Sequence, residues 1–210
     1  MRLARLRSRR RRGRGQALVE FALVIPIFLT LVISMFEFTF LFTSYVDLGY
    51  ATHDASQLAA EMGNTTNADT AILQRIDNDI NVPADPTRIV SVDIYWVNTA
   101  TKDASPVSGA ENIYLYVGGS HPFYMPDGTT IIYLPFAPST SGYPPNQRCN
   151  VNGGIGCLPT GAKSHTTVDT IAVKISYQYA WVTPLPGLIG GGTTGPLLTS
   201  INVMRLEPVL

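Results

Sequence analysis

Phe21 to Phe36 is a run of sixteen residues without a charge, and the apolar character resumes after Glu37 as far as Phe42. A membrane-crossing helix needs about 20 largely apolar residues at about 1.5 Å of rise each, and Ala17 to about Thr43 meets that length. No feature restricts the fold more, because a helix of this kind has to be apolar around its whole circumference. Its flanks set its sense. Eight of the chain's 15 basic residues are Arg2, Arg5, Arg7, Arg9, Arg10, Arg11, Arg12 and Arg14, immediately before the run, and no basic residue follows it until Arg75. Arginine marks the cytoplasmic flank of a membrane helix, so the expected orientation is N-terminus inside.

A cleaved secretory signal has the same basic tail and apolar centre. No small-x-small cleavage site follows the run, however; SMFEFTFLFTSY is bulky and aromatic. The reading is a single-pass anchor. An arginine run also binds nucleic acid in proteins that carry a helix-turn-helix or comparable reader. No such reader is recognisable, and no nucleic-acid partner is expected. After Gly15 the chain has seven basic residues against 15 acidic ones, a net charge of −8, which suits two environments better than one globule.

Cys149 and Cys157 bracket CNVNGGIGC, beyond the expected membrane. Two nearby cysteines with Gly-Gly between them can close a small ring in an oxidising compartment. Two thiols without a nearby histidine pair do not make a four-ligand metal site, and no CxxC redox motif is present.

Helical periodicity continues through YVDLGYATHDASQLAAEMGN. Val46, Tyr50, Leu58 and Met62 recur at multiples of three to four, beside a stripe of Ala51, Ala55 and Ala59, with Gly63-Asn64 as a stop. Pro26 removes one helical hydrogen bond and can kink the membrane part. A second helix is expected from an Asn67 or Asp69 cap, through Ile72, Leu73, Ile76 and Ile80, to Pro83. Beyond Pro86 the period becomes two. RIVSVDIYWVN sets Val90, Val92, Ile94 and Trp96 against Ser91, Asp93 and Tyr95, and DTIAVKISYQYAWV alternates in the same way. ENIYLYV, TIIYLPF and SINVMRL are further strands. Residues 135–163 read as a long surface loop and 184–196 as a flexible connector. The expected class is α+β: a long hydrophobic N-terminal helix, then a small extracytoplasmic domain with an antiparallel sheet packed on helix. The expected organisation is a basic cytoplasmic leader over 1–15, a transmembrane helix over 16–44, a helical stem and second helix over 45–82, and a β-rich domain over 83–210.

GQALVEFALVIPIFLTLVISMFEF resembles the N-terminus of TadE-like proteins, minor pilin-like components of Flp/Tad pilus systems. The family has a basic leader ending in glycine, a hydrophobic helix just after it, and a glutamate five residues beyond the glycine. The resemblance is close over about 12–45 and only general downstream. It implies cleavage after Gly15 by a membrane prepilin peptidase, a mature chain beginning at Gln16, and Glu20 as its fifth residue. Gln16 departs from the aromatic or aliphatic residue with which many pilin-like proteins start. A carboxylate at membrane depth costs roughly 2.5–3.5 kcal/mol on insertion scales. The α-amino group freed at Gln16 is a candidate partner for Glu20, in its own subunit or a neighbour, which would relieve that cost. The bland alternative is that Glu20 sits in the headgroup zone. Glu37 stands about 25 Å further along a helix and is assigned only the end of the buried span.

Nothing in the sequence points to catalysis or to a cofactor. His53, His121 and His165 are isolated, GLIGGGTTG lacks the lysine of a phosphate loop, and no GxSxG or HExxH occurs. Asp77 and Asp79 can bind a cation or form a solvated helix face. The aromatics of NIYLYVGGSHPFYMPDG are a contact surface or ordinary strand residues. The expected role is structural, in assembling, priming or tipping a Flp/Tad pilus. Membrane lipid, a prepilin peptidase and other Tad-system proteins are the partners. The alternative is a surface ligand-binding domain on a passive, uncleaved tether.

Overall fold

The computed structural model of the protein describes residues 12–81, 83–99, 104–151, 157, 159–160, 164–184, 187, 191–192 and 194–208. The leader arginines up to Arg11, the Gly-Gly of the cysteine loop and Leu185–Pro186 of the connector lie outside the described residues. Helix α1 (Arg12–Met62) is 51 residues long and runs through Pro26 without a break. It is long and apolar enough to cross a membrane once, as no other helix among the described residues is. Leu18, Phe21, Leu23, Ile27, Phe28 and Leu31 are all more than half exposed, so the span is apolar on every side. Its hydroxyls are satisfied internally. Thr30 donates to the Pro26 carbonyl (2.7 Å), Ser34 to Thr30 (2.8 Å) and Thr39 to Met35 (2.9 Å), each four residues back. Such back-bonding leaves no hydroxyl proton seeking water in an apolar medium.

The chain forms two compact units, one from Met1–Phe40 with Trp181–Thr193 and one from Leu41–Ala180 with Thr194–Leu210. In the second unit α1 buries Leu48, Ala51, Thr52, Ala55, Ser56 and Ala59. The apolar set that sequence spacing marks is not the buried face: Tyr50 is 73% exposed, and Val46, Leu58 and Met62 are only half-buried. The stripe of small residues is buried instead, since small side chains let a helix backbone approach its neighbours closely. Helix α2 (Ala68–Asp79) starts at Asn67, whose backbone is left-handed (φ 57°) and whose side chain does not cap. It buries Ala68, Asp69, Ile72, Leu73 and Ile76.

Five strands follow: β1 (Ile89–Val97), β2 (Pro106–Tyr124), β3 (Ile131–Ser141), β4 (Thr170–Ala180) and β5 (Thr194–Arg205). They form one sheet in the order β3-β2-β1-β4-β5, antiparallel throughout. Val92 lies opposite Tyr114 and Ile175, and Ile94 opposite Asn112 and Val173. These side chains share the face on which α2 lies, because Asn112 and Tyr114 both bond Asp69 of that helix. The α+β class and the helix-on-sheet packing expected from the sequence are therefore present. The other face is less open than alternation implies: Tyr95, Val97 and Ala172 are buried there with Ala104 against them, and Lys174 pairs with Asp93 at 2.9 Å.

Three expectations need correction. ENIYLYV is the middle of a longer strand; β2 begins at Pro106 and continues through His121–Tyr124 after a register break at Gly118 and Gly119, whose φ values of 71° and 77° suit a residue without Cβ. The described part of 135–163 is not a surface loop, since β3 reaches Ser141 and Tyr143, Arg148, Cys149 and Thr160 are all buried; 152–156, 158 and 161–163 lie outside the described residues. The connector is shorter than expected, because Thr194, Gly195 and Pro196 already belong to β5. Pro/Gly/Ser/Asn composition misled here: it marks turns, not exposure.

Enlarging the α1 stripe should strain the core. Ala55→Leu, at a fully buried position, should lower unfolding stability by about 1–3 kcal/mol. Tyr50→Ala, on the exposed side, should stay within about 0.5 kcal/mol of wild type. Denaturant unfolding of the detergent-solubilised protein, followed by circular dichroism, measures both.

Candidate functional site

Gly15 and Gln16 lie inside the first turns of α1, three and four residues past its start at Arg12. Around Gly15 no atom stands within 4 Å of where a Cβ would be. Glycine there lowers helix propensity by about 1 kcal/mol relative to alanine, which makes this turn easier to unwind into an extended strand. One helical turn on, Glu20 accepts a hydrogen bond from the Gln16 side-chain amide (Nε2 to Oε1, 3.1 Å), with both residues exposed. The structure thus brings Gln16 and Glu20 together through an amide, and Gln16 is the residue at which this chain departs from the pilin-like pattern.

Glu37, to which the sequence assigned only the end of the buried span, has partners within the protein. It is 95% buried, and its carboxylate accepts two consecutive backbone N–H groups, from Val182 to Oε1 (2.9 Å) and from Thr183 to Oε2 (2.7 Å). Both donors lie in the β4–β5 connection, 145 and 146 residues away. Charge-assisted bonds of this kind are roughly twice as strong as neutral ones. Apolar residues continue on either side, with Met35, Phe36, Phe38 and Phe42 more than half exposed.

The second unit holds a buried polar network that no sequence pattern announced. Asp69, expected as a helix cap, points inward. One oxygen accepts from the Arg148 guanidinium; the other accepts from Asn112 Nδ2 (2.7 Å) and Tyr114 Oη (2.8 Å). Arg148 lies over the Tyr143 ring, 5.1 Å from guanidinium carbon to ring centroid, and Asn112 bonds both backbone groups of Tyr143. Burial raises the Tyr114 phenol well above its ordinary value, and the Asp69 charge adds to that. Tyr143 is raised by burial, then by Asp169, to which its hydroxyl donates (2.7 Å).

His165, read as isolated, joins this network through Asp169 at i+4, and it stacks on Trp96 at 4.3 Å. Its Nδ1 is 2.5 Å from Asp169 Oδ1 and its Nε2 is 3.0 Å from Thr160 Oγ1. The order Thr-His-Asp has the outline of a nucleophilic relay, but the Thr160 hydroxyl also reaches the Gln147 carbonyl (3.1 Å), and all three side chains are buried. The group is interior bracing.

Cys149 and Cys157 form a disulfide with a Cα–Cα distance of 5.4 Å. The Cys149 N–H donates to Asp169 Oδ2 (2.9 Å), which couples the bridge to the network. The remaining candidates do not converge. Asp79 pairs with Arg75, which also pairs with Asp54 on α1; Asp77 is half-buried, and burial raises its carboxyl. Among the described residues no three His, Cys, Asp or Glu side chains are grouped to hold a metal ion. His53 is exposed and His121 meets the Gly118 carbonyl at 3.2 Å. Of the aromatic stretch, Tyr124 is more than half exposed, whereas Tyr114 is buried.

A family model described as TadE-like protein matches residues 15–57, the part of the chain that holds Gly15, Gln16, Glu20, Glu37 and the start of the small-residue stripe. No curated protein sequence and no solved structure matches the chain.

Two outcomes follow from the buried network. Arg148→Met should cost about 3–5 kcal/mol, because it strands the Asp69 carboxylate without its cation, and Asp69→Asn in the same chain should recover part of that loss. Denaturant melts of the three variants test this. The raised phenols also set a pH limit. A folded-state tyrosine pKa above the unfolded one gives stability that is intact below about pH 10 and lost as pH rises beyond it. The melting temperature should accordingly fall above about pH 10, and less steeply in Tyr114→Phe, as scanned by circular dichroism.

Proposed function

We propose that the chain is a pilin-like structural component of a Tad-type pilus or related secretion system, acting through helix packing and not through catalysis. The observation that carries this is the TadE-like match over residues 15–57, which coincides with a helix apolar on every side. Residues 1–15 form a cytoplasmic leader, 16–44 the membrane helix, 45–82 the stem and second helix, and 83–210 a β-rich domain on the far side. The disulfide supports that side's being oxidising. A prepilin peptidase cuts between Gly15 and Gln16, which strips the eight leader arginines. Membrane lipid and other Tad-system proteins are the remaining partners.

Glu20 then changes partner. Before cleavage it accepts from the Gln16 amide; afterwards a new ammonium stands at the same residue, in this chain or an adjacent one. A full positive charge in place of a neutral amide strengthens the bond and draws subunits together through their helices. Insertion itself does not need the carboxylate, which only makes the helix more costly to insert.

N-terminal sequencing of protein from its native host should begin at Gln16, and Gly15→Val should leave the chain full-length. Glu20→Gln should be processed and inserted normally yet lose crosslinking to partner subunits. Assembly of Glu20→Gln at wild-type levels would sink the charge-pairing account. A full-length N-terminus in a host with an active prepilin peptidase would favour a ligand-binding domain on a passive tether.

A further inference from the structure

Apolar side chains continue beyond Glu37 to Phe42, so a bare carboxylate at that position would interrupt a surface otherwise suited to lipid. It is not bare. The backbone of Val182 and Thr183 covers it and satisfies both oxygens, while the Val182 side chain is 60% exposed and Trp181 is half-buried. The stretch Trp181–Pro196 contains no charged residue. Tryptophan has an apolar body with one polar N–H, the composition that favours the boundary between headgroups and acyl chains.

We infer that Trp181–Thr183 is an interfacial membrane strap, clamped to α1 by Glu37 so that Trp181 and Val182 enter the bilayer surface at the far end of the apolar span. The clamp does two things. It hides a carboxylate that would otherwise cost free energy beside lipid, because each oxygen gains an N–H donor. It also orders a connection whose glycine content would leave it loose, and so reduces the entropy lost when the strap meets lipid. The occupant is lipid because the covered carboxylate lies on a helix that is apolar all round. The inference rests on α1 crossing the membrane, and the test separates the two.

The full-length protein is reconstituted into phosphatidylcholine vesicles with a minor fraction of phosphatidylglycerol and floated on a density gradient. Acyl chains are brominated either close to the headgroup or close to the terminal methyl, and tryptophan emission is compared between wild type and Trp181→Phe to isolate Trp181 from Trp96. Bromine near the headgroup should remove more of the Trp181 emission than bromine near the methyl end. In Glu37→Gln, which keeps the shape but removes the charge, that quenching should be largely lost while the protein still floats. Floating protein whose Trp181 emission neither lipid affects, or Glu37→Gln quenched like wild type, overturns the strap alone. Protein that fails to float overturns the membrane-crossing reading and the strap with it.

Discussion

The Arg148–Asp69 pair is the interaction on which the β-rich unit depends. Two opposite charges with almost no solvent exposure are tolerable only where further hydrogen bonds satisfy what the pair leaves over. Asn112 and Tyr114 of β2 supply that for Asp69 of α2, while the Arg148 guanidinium lies over the Tyr143 ring and its Nε and Nη1 have no hydrogen-bond partner among the described residues. One carboxylate therefore registers a helix, a strand and an otherwise irregular segment against each other. Apolar packing alone would not specify that register, since α2 offers only isoleucine, leucine and alanine to a sheet of similar side chains. Asp169 repeats the device, gathering Tyr143, Cys149 and His165 onto its two oxygens.

Three carboxylates of this chain are met in three different ways. Glu20 has a neutral amide from its own helix, weak and easily exchanged. Glu37 has two backbone donors from a distant connection, an arrangement that no substitution there other than proline would remove directly. Asp69 has a guanidinium and two neutral donors, the richest set. The strength of each solution follows its burial. Only the exposed one is free to take a different partner, which suits the processing proposed at its neighbour Gln16.

Much of the architecture was legible because it is written in periodicity. The membrane-type helix, α2 and the alternation of β1 and β4 follow from the spacing of apolar residues, and the family resemblance follows from Gly15, Glu20 and the arginines before them. What escaped was long-range and polar. Nothing local distinguishes the Asp69 that meets Arg148 79 residues away from an ordinary helix cap. The partners of Glu37 were hidden because they are backbone N–H groups, which carry no residue signature. Spacing alone did not say which face of α1 is buried, and close approach selects the alanine and serine stripe. Arg148, an arginine amid proline, glycine and asparagine, was the one available hint that residues 135–163 enter the interior.

The late part of the chain also closes the β-rich unit. Leu206 is buried and its N–H donates to the Asp169 carbonyl, while the Glu207 N–H donates to the Ala60 carbonyl at the end of α1. Strand β5, just before them, pairs only with β4. Synthesis therefore delivers the helices, four strands and both cysteines before the segment that ties the end of α1 to the network. Such long-range closure makes folding slow and leaves apolar surface uncovered in the meantime. During that interval ring closure at Cys149–Cys157 is one of the few constraints that can act early.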